Sequence, residues 1–112
     1  MKLHLNLSKK WFDMISSGKK LEEYREIKPY WVKRFLPKSF SEVKNPLWQV
    51  GENYPTKHNI TSVVFKNGYQ KDAQTCEVEF LGLSIDYPKI IWSDSMGFQN
   101  YVFVIKLGKI IQ

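Results

Sequence analysis

Cysteine and histidine are scarce in this chain, and their scarcity excludes several kinds of site. Cys76 is the only cysteine among 112 residues, so neither an intrachain disulfide nor a cysteine-based zinc site can form. His4 and His58 are the only histidines, and no second ligand lies at metal-binding spacing from either. We therefore expect no metal and no cofactor, and we interpret Cys76 as a small core residue.

Long apolar runs and clustered glycines are also missing. No stretch approaches the roughly 20 apolar residues of a membrane span, and the first residues do not resemble the apolar segment of a signal peptide. The six glycines are scattered singly, so there is no glycine loop of the kind that cradles phosphates. These features favour a reduced, cytoplasmic-type compartment and no membrane partner.

The positive charge is confined to one part of the chain. An apolar fraction of 43% and an aromatic fraction of 15% are typical of a folded protein, and the length predicts a single domain over residues 1–112. Residues 1–44 carry eleven Lys or Arg and five Asp or Glu, whereas residues 45–112 carry six of each. Such a basic excess is typical of a polyanion partner, most often nucleic acid; an ordinary solvated surface is the alternative.

Periodicity and capping signals predict the order of the elements. The predicted elements are a strand over 3–7, a helix over 11–17 with Ser8 as its cap and Gly18 as its stop, a strand over 20–27, a helix over 29–36, and strands over 60–66, 75–85 and 101–107. Residues 37–58 are predicted to form a long packed loop, in which the apolar side chains are Phe40, Val43, Leu47, Trp48, Val50 and Tyr54. This order predicts an α+β fold: a small, mostly antiparallel β-barrel with two or more short helices.

The charged residues of strand 20–27 are the strongest functional signal. Glu23 and Arg25 share one face with Leu21 and Ile27. If that face points inward, the two charges need each other or a ligand. If instead Tyr24 marks the inner face, they form an exposed ion pair of small energetic value. The pattern leaves both possibilities open.

The spacing G-x-K-x-x-E-x-R, formed by Gly18, Lys20, Glu23 and Arg25, resembles that of the ASCH domain, a branch of the PUA-like β-barrel superfamily. The resemblance includes the W-F-D-M-I pattern that begins at Trp11 and the apolar strand 101–105, and in the middle of the chain it extends only to the order of elements. It implies a PUA-like barrel that binds RNA or a nucleotide in a cleft beside the barrel, with these charged residues lining the cleft.

The predicted ligand-binding residues combine this motif with nearby basic and aromatic groups. Lys20 and Arg25 suit phosphates or a base oxygen, and Glu23 suits an exocyclic amine. Lys19 belongs to the same basic run. Trp48 and Tyr54, in the long loop, are the better candidates for stacking on bases, because loops leave ring faces uncovered. The full set is Lys19, Lys20, Glu23, Arg25, Trp48 and Tyr54.

Two alternatives to simple RNA binding remain at this point. One bacterial branch of the family hydrolyses N4-acetylcytidine with a lysine in the glycine turn, a threonine shortly after it and a later glutamate. Lys20 matches that lysine, but Glu23 takes the place of the threonine and the later glutamate has no counterpart, so we predict binding rather than catalysis. A small amidohydrolase of this kind is the first alternative, and a module that binds an acidic protein is the second.

Overall fold

The computed structural model describes residues 1–42, 48–93 and 100–111. Its elements in chain order are β1 (Lys2–Leu7), α1 (Lys9–Ser16), β2 (Glu22–Arg25), α2 (Pro29–Phe35), α3 (Lys38–Ser41), β3 (Asn53–Tyr54), β4 (Ser62–Asn67), β5 (Thr75–Asp86), a 3₁₀ turn (Ile90–Trp92) and β6 (Val102–Ile110).

The strands form one mixed sheet that curls into a half-barrel. Its order is β1-β4-β5-β6-β2, and the short β3 pairs with β5. Only the β1–β4 pair is parallel; the other described pairs are antiparallel. The predicted α+β class, with a small and mostly antiparallel barrel-like sheet and short helices, is confirmed.

The main core lies between the sheet and the first two helices. In β1, Leu3, Leu5 and Leu7 are buried while the residues between them are exposed, as the alternation predicts. Helix α1 contributes Phe12 and Ile15 to the same cluster, and Phe35 at the end of α2 joins it. Each large apolar side chain buried in this way contributes about 1.5–3 kcal/mol to folding.

The end of α1 determines where the following basic residues lie. Gly18 has a φ of +80°, a left-handed conformation that is costly for residues with a Cβ. The amides of Lys19 and Lys20 both donate to the carbonyl oxygen of Met14, at 2.9 and 3.0 Å. This closed turn ends the helix, as predicted, and leads the chain directly into β2. The predicted cap is only partly realised: the Ser8 carbonyl accepts from the Phe12 amide, but its hydroxyl makes no capping hydrogen bond.

Both faces of β2 are covered, which neither reading of its sequence pattern anticipated. Glu23 is 4% exposed and Tyr24 is 1% exposed. Glu23 lies opposite Ile105 of the main core, whereas Tyr24 lies opposite Val104 in a second cluster. The alternative in which Glu23 and Arg25 form an exposed ion pair is therefore wrong. The other alternative is wrong for Leu21, which does not point inward: it precedes the strand and is 49% exposed.

The remaining segments depart from simple alternation where the chain bends. The segment 37–58 contains α3 and β3, and the predicted packing of Val43 and Leu47 falls outside the described residues.

After Asn67-Gly68 the chain forms a loop between β4 and β5, which is closed by the hydrogen bond from the Asn67 amide to the Gln74 carbonyl. In β5, register shifts between Val78 and Gly82 change which residues face inward.

Candidate functional site

The two ends of the sheet, β1 and β2, approach each other and are bridged by arginine side chains. Arg25 donates from Nη2 to the carbonyl oxygen of Asn6 at 3.0 Å, and Arg34 of α2 donates from Nη2 to the carbonyl oxygen of His4 at 2.9 Å. Both acceptors are backbone groups on the outer edge of β1, away from β4. A cleft of about 980 Å³ opens here, and we call it the β1–β2 cleft.

The β1–β2 cleft is basic and aromatic. Its charged lining consists of Lys20, Glu23, Arg25, Lys28 and Arg34, so four cations surround one carboxylate. Its aromatic lining consists of Trp11, Tyr24, Tyr30, Trp31, Tyr69 and Trp92. The combination of a positive surface with exposed ring faces suits a planar ligand that carries negative charge nearby.

A buried ion pair lies in the wall of the cleft. Lys20 is 2% exposed, and its Nζ lies 2.9 Å from Oε1 of Glu23. The same ammonium lies 4.0 Å from the centre of the Trp11 ring, within the range of a cation–π interaction. Removing a charge from water is costly without such partners, so Trp11 and Glu23 together hold Lys20 in place.

The two oxygens of Glu23 have very different surroundings. Oε1 accepts from Lys20 Nζ and also from the backbone amide of Tyr24, at 2.9 Å in each case. Oε2 is buried and accepts no hydrogen bond from any residue in the described part of the chain. Nη1 of Arg25 lies 3.6 Å from Oε2. A buried carboxylate oxygen in a folded protein ordinarily has a donor, so Oε2 has an unused capacity to accept a hydrogen bond.

Arg25 links this carboxylate to the edge of the sheet. Its Nη1 donates to the carbonyl oxygen of Tyr24 at 2.7 Å, and its guanidinium carbon lies 5.3 Å from the centre of the Trp31 ring. A guanidinium has five N–H groups. The contacts to the Tyr24 and Asn6 carbonyls account for two of these groups, so Arg25 retains donors for a ligand while its plane is fixed.

Tyr24 fixes the opposite side of β2. Its hydroxyl donates to Oε1 of Glu22 at 2.8 Å and accepts from the Lys89 amide at 3.2 Å. Burial raises the pKa of this phenol well above its ordinary value, with a smaller opposing effect from the Lys89 amide. Tyr24 therefore stays neutral and ties the segment that carries Trp92 to β2.

The structure brings three of the six predicted ligand-binding residues together. Lys20, Glu23 and Arg25 line the cleft, and Glu23 lies between the other two, 2.9 Å from Lys20 and 3.6 Å from Arg25. Lys19 is exposed and is not among the lining residues. Of the other basic residues in the first part of the chain, Lys28 and Arg34 join the lining.

Trp48 and Tyr54 lie elsewhere, against the main core. Their rings meet edge-on with centroids 6.0 Å apart, and the Trp48 ring lies 6.2 Å from that of Phe103. Tyr54 pairs with Leu83 in the β3–β5 ladder, which draws the loop over β5. Both rings are half-buried packing groups, and neither is among the residues that line the β1–β2 cleft.

The cleft lining also contains Trp11 and Trp31, which are not among the six predicted ligand-binding residues. Each is only half-buried. A signal for Trp31 was present, because Trp31 and Arg34 are three positions apart on a helix and so share one face. For Trp11 the signal in the sequence was weaker: it lies on the helix that ends at the glycine turn before Lys20.

Cys76, possible metal ligands and the helices concern other kinds of site in the described part of the chain. Cys76 is buried in the main core, as predicted, and burial raises the pKa of its thiol. Within residues 1–42, 48–93 and 100–111, no three His, Cys, Asp or Glu side chains are grouped so that they could hold a metal ion. None of the helices in these ranges is long and apolar enough to cross a membrane.

Comparison of the chain with protein-family models, with curated proteins and with solved structures finds no match.

Proposed function

We propose that this chain is an ASCH-type domain that binds single-stranded RNA or a nucleotide in the β1–β2 cleft. The observation that carries the proposal is the buried Lys20–Glu23 pair next to Arg25, in the wall of a basic cleft with aromatic lining. These are the residues through which the chain resembles the ASCH family.

The chemistry of the cleft supports this ligand class. Arginine is well suited to phosphate because its planar fork presents several donors at once. The rims of the cleft carry two exposed rings, Tyr30 and Tyr69, which are 60% and 86% exposed. Single-stranded nucleic acids bind by stacking bases on such rings while cations follow the backbone.

Binding is supported over amide hydrolysis by the state of Lys20. In the N4-acetylcytidine hydrolases the corresponding lysine acts with a threonine hydroxyl, whereas here Lys20 is ion-paired with the glutamate that replaces it. Lys20 donates to Oε1 of Glu23 at 2.9 Å, and Glu23 offers no hydroxyl nucleophile beside it. A concave site with a deep acceptor also suits a small planar group better than the surface of an acidic protein.

Fluorescence anisotropy with a labelled single-stranded RNA octamer tests the proposal. We expect Arg34→Ala to weaken binding about tenfold, the loss of roughly one charge-assisted hydrogen bond. The matched control is Lys33→Ala, which removes an exposed charge of the same helix that does not line the cleft. Equal losses in the two variants, or no binding by the parent protein, would contradict the proposal.

A further inference from the structure

We infer that the β1–β2 cleft selects bases in which an amino group lies beside a ring nitrogen acceptor, as in cytosine and adenine, through Oε2 of Glu23. This inference rests on the proposed function and specifies which part of the ligand enters the wall of the cleft. It depends on an atom that the resemblance to ASCH domains does not address, since Glu23 stands where the hydrolases have threonine.

Glu23 is prepared as an acceptor with one vacant position. Lys20 Nζ and the Tyr24 amide both donate to Oε1, which fixes the orientation of the carboxylate. Oε2 receives neither of these two donors. It is buried without a hydrogen-bond donor in the described residues and belongs to a side chain that lines the cleft. Leaving such an atom unpaired is costly, and a ligand N–H recovers that cost on binding.

The vacant position excludes most other ligand groups. A phosphate would bring negative charge against the carboxylate, so phosphates belong with Arg34 and Lys28 at the rim. A carbonyl oxygen would place two acceptors in contact. Uracil and hypoxanthine carry a carbonyl where cytosine and adenine carry the amino group. The ring N–H of either base lies directly beside that carbonyl oxygen, so a base turned to present this N–H would bring the oxygen close to the carboxylate.

Arg25 would recognise the ring nitrogen that lies beside the amino group of the base. Its Nη1 lies 3.6 Å from Glu23 Oε2, so one edge of a base can contact both groups. In cytosine and adenine the amino group is bonded to a carbon whose ring nitrogen neighbour is an acceptor. The amino group would donate to Glu23 while this ring nitrogen accepts from Arg25, so each partner meets its complement.

Two matched pairs of nucleoside 5′-monophosphates test this inference by NMR titration of the intact protein. Cytidine is compared with uridine, and adenosine with inosine, since each pair has the same phosphate and a base of nearly the same size. We expect the amino-bearing member to bind about tenfold more tightly, the ratio for one hydrogen bond to a charged acceptor. In Glu23→Gln this ratio should fall to about twofold or less. The control Glu26→Gln removes a nearby exposed carboxylate outside the lining and should retain the ratio.

The outcomes separate this inference from the function on which it rests. Equal binding of all four nucleotides would overturn the base preference and leave the proposed function intact. No binding of any nucleotide, together with no binding of RNA, would overturn both. If Glu23→Gln does not fold, the comparison of the four nucleotides on the parent protein still decides the question.

Discussion

Glu23 and Tyr24 are adjacent in β2 and lie on opposite faces, and both are buried for different reasons. Glu23 faces the cleft, and its burial is supported by Lys20 and the Tyr24 amide, which both donate to one of its oxygens. Tyr24 faces the cluster with Trp92, where a neutral phenol bridges Glu22 and the Lys89 amide. In the proposed function Glu23 contacts the ligand, and its neighbour Tyr24 fixes the strand that positions it.

The raised pKa of Tyr24 predicts a loss of stability in alkaline solution. Burial, its main cause, raises the pKa above the ordinary 10.0, so the folded state keeps the proton at pH values where the unfolded chain loses it. The contribution is therefore fully present below about pH 10 and is lost as the pH rises further. We expect the free energy of unfolding, measured with urea, to fall more steeply between about pH 9 and 11 in the parent protein than in Tyr24→Phe.

The matched control for this prediction is Tyr69→Phe. Tyr69 is 86% exposed, so its removal should leave the steep pH dependence of the parent protein unchanged. Parallel curves for the parent and Tyr24→Phe would show that Tyr24 does not set the alkaline limit.

The turn between α1 and β2 is the element that places the charged residues in the cleft wall. Gly18 adopts a left-handed conformation, and the amides of the next two residues satisfy the carbonyl of Met14 at the helix end. Lys20 therefore leaves the turn in a direction that is set by the backbone.

Substituting Gly18 with alanine should weaken both folding and binding. A Cβ at a positive φ costs about 1–2 kcal/mol, although nothing lies within 4 Å of the added atom. Gly51→Ala is a matched control, because Gly51 has a φ of +86° and equally open surroundings. We expect similar losses in the free energy of unfolding for both variants, and a loss of RNA affinity in the folded protein only for Gly18→Ala. If RNA affinity is retained in Gly18→Ala, the turn does not position the site.

The molecule as a whole carries its excess positive charge in the segment that supplies most of the cleft lining. Each of the four cations that line the cleft comes from residues 1–44, the segment that carries the whole formal excess of +6. A polyanion attracted by this field would meet the cleft first.

This arrangement predicts a salt dependence for RNA binding. Each phosphate contact contributes about −0.7 to the slope of log K against log salt for a single strand. We expect the magnitude of this slope to decrease by about 0.7 in Arg34→Ala and to remain unchanged in Lys33→Ala, measured by anisotropy over a range of sodium chloride concentrations. A flat response in the parent protein would show that the charge serves another purpose.

The order of the main elements and the glycine stop of α1 were predictable because they depend on neighbours in the chain. The alternation of apolar and polar residues in β1 predicts one buried face. Gly18 predicts a turn with positive φ, a backbone conformation that destabilises other residues. The same local reasoning found Lys20, Glu23 and Arg25, since they occupy a short run after that turn.

Tertiary structure alone decided what these residues contact. Periodicity identifies an apolar face but says nothing of what covers the other one, so the burial of both faces of β2 was not predictable. The approach of Arg34 to the edge of β1 depends on how a curled sheet brings its two ends together, between segments 30 residues apart. The sequence does not distinguish Trp48 and Tyr54 from other aromatic residues in loops. The structure packs them over β5 and Phe103 because β3 pairs with β5.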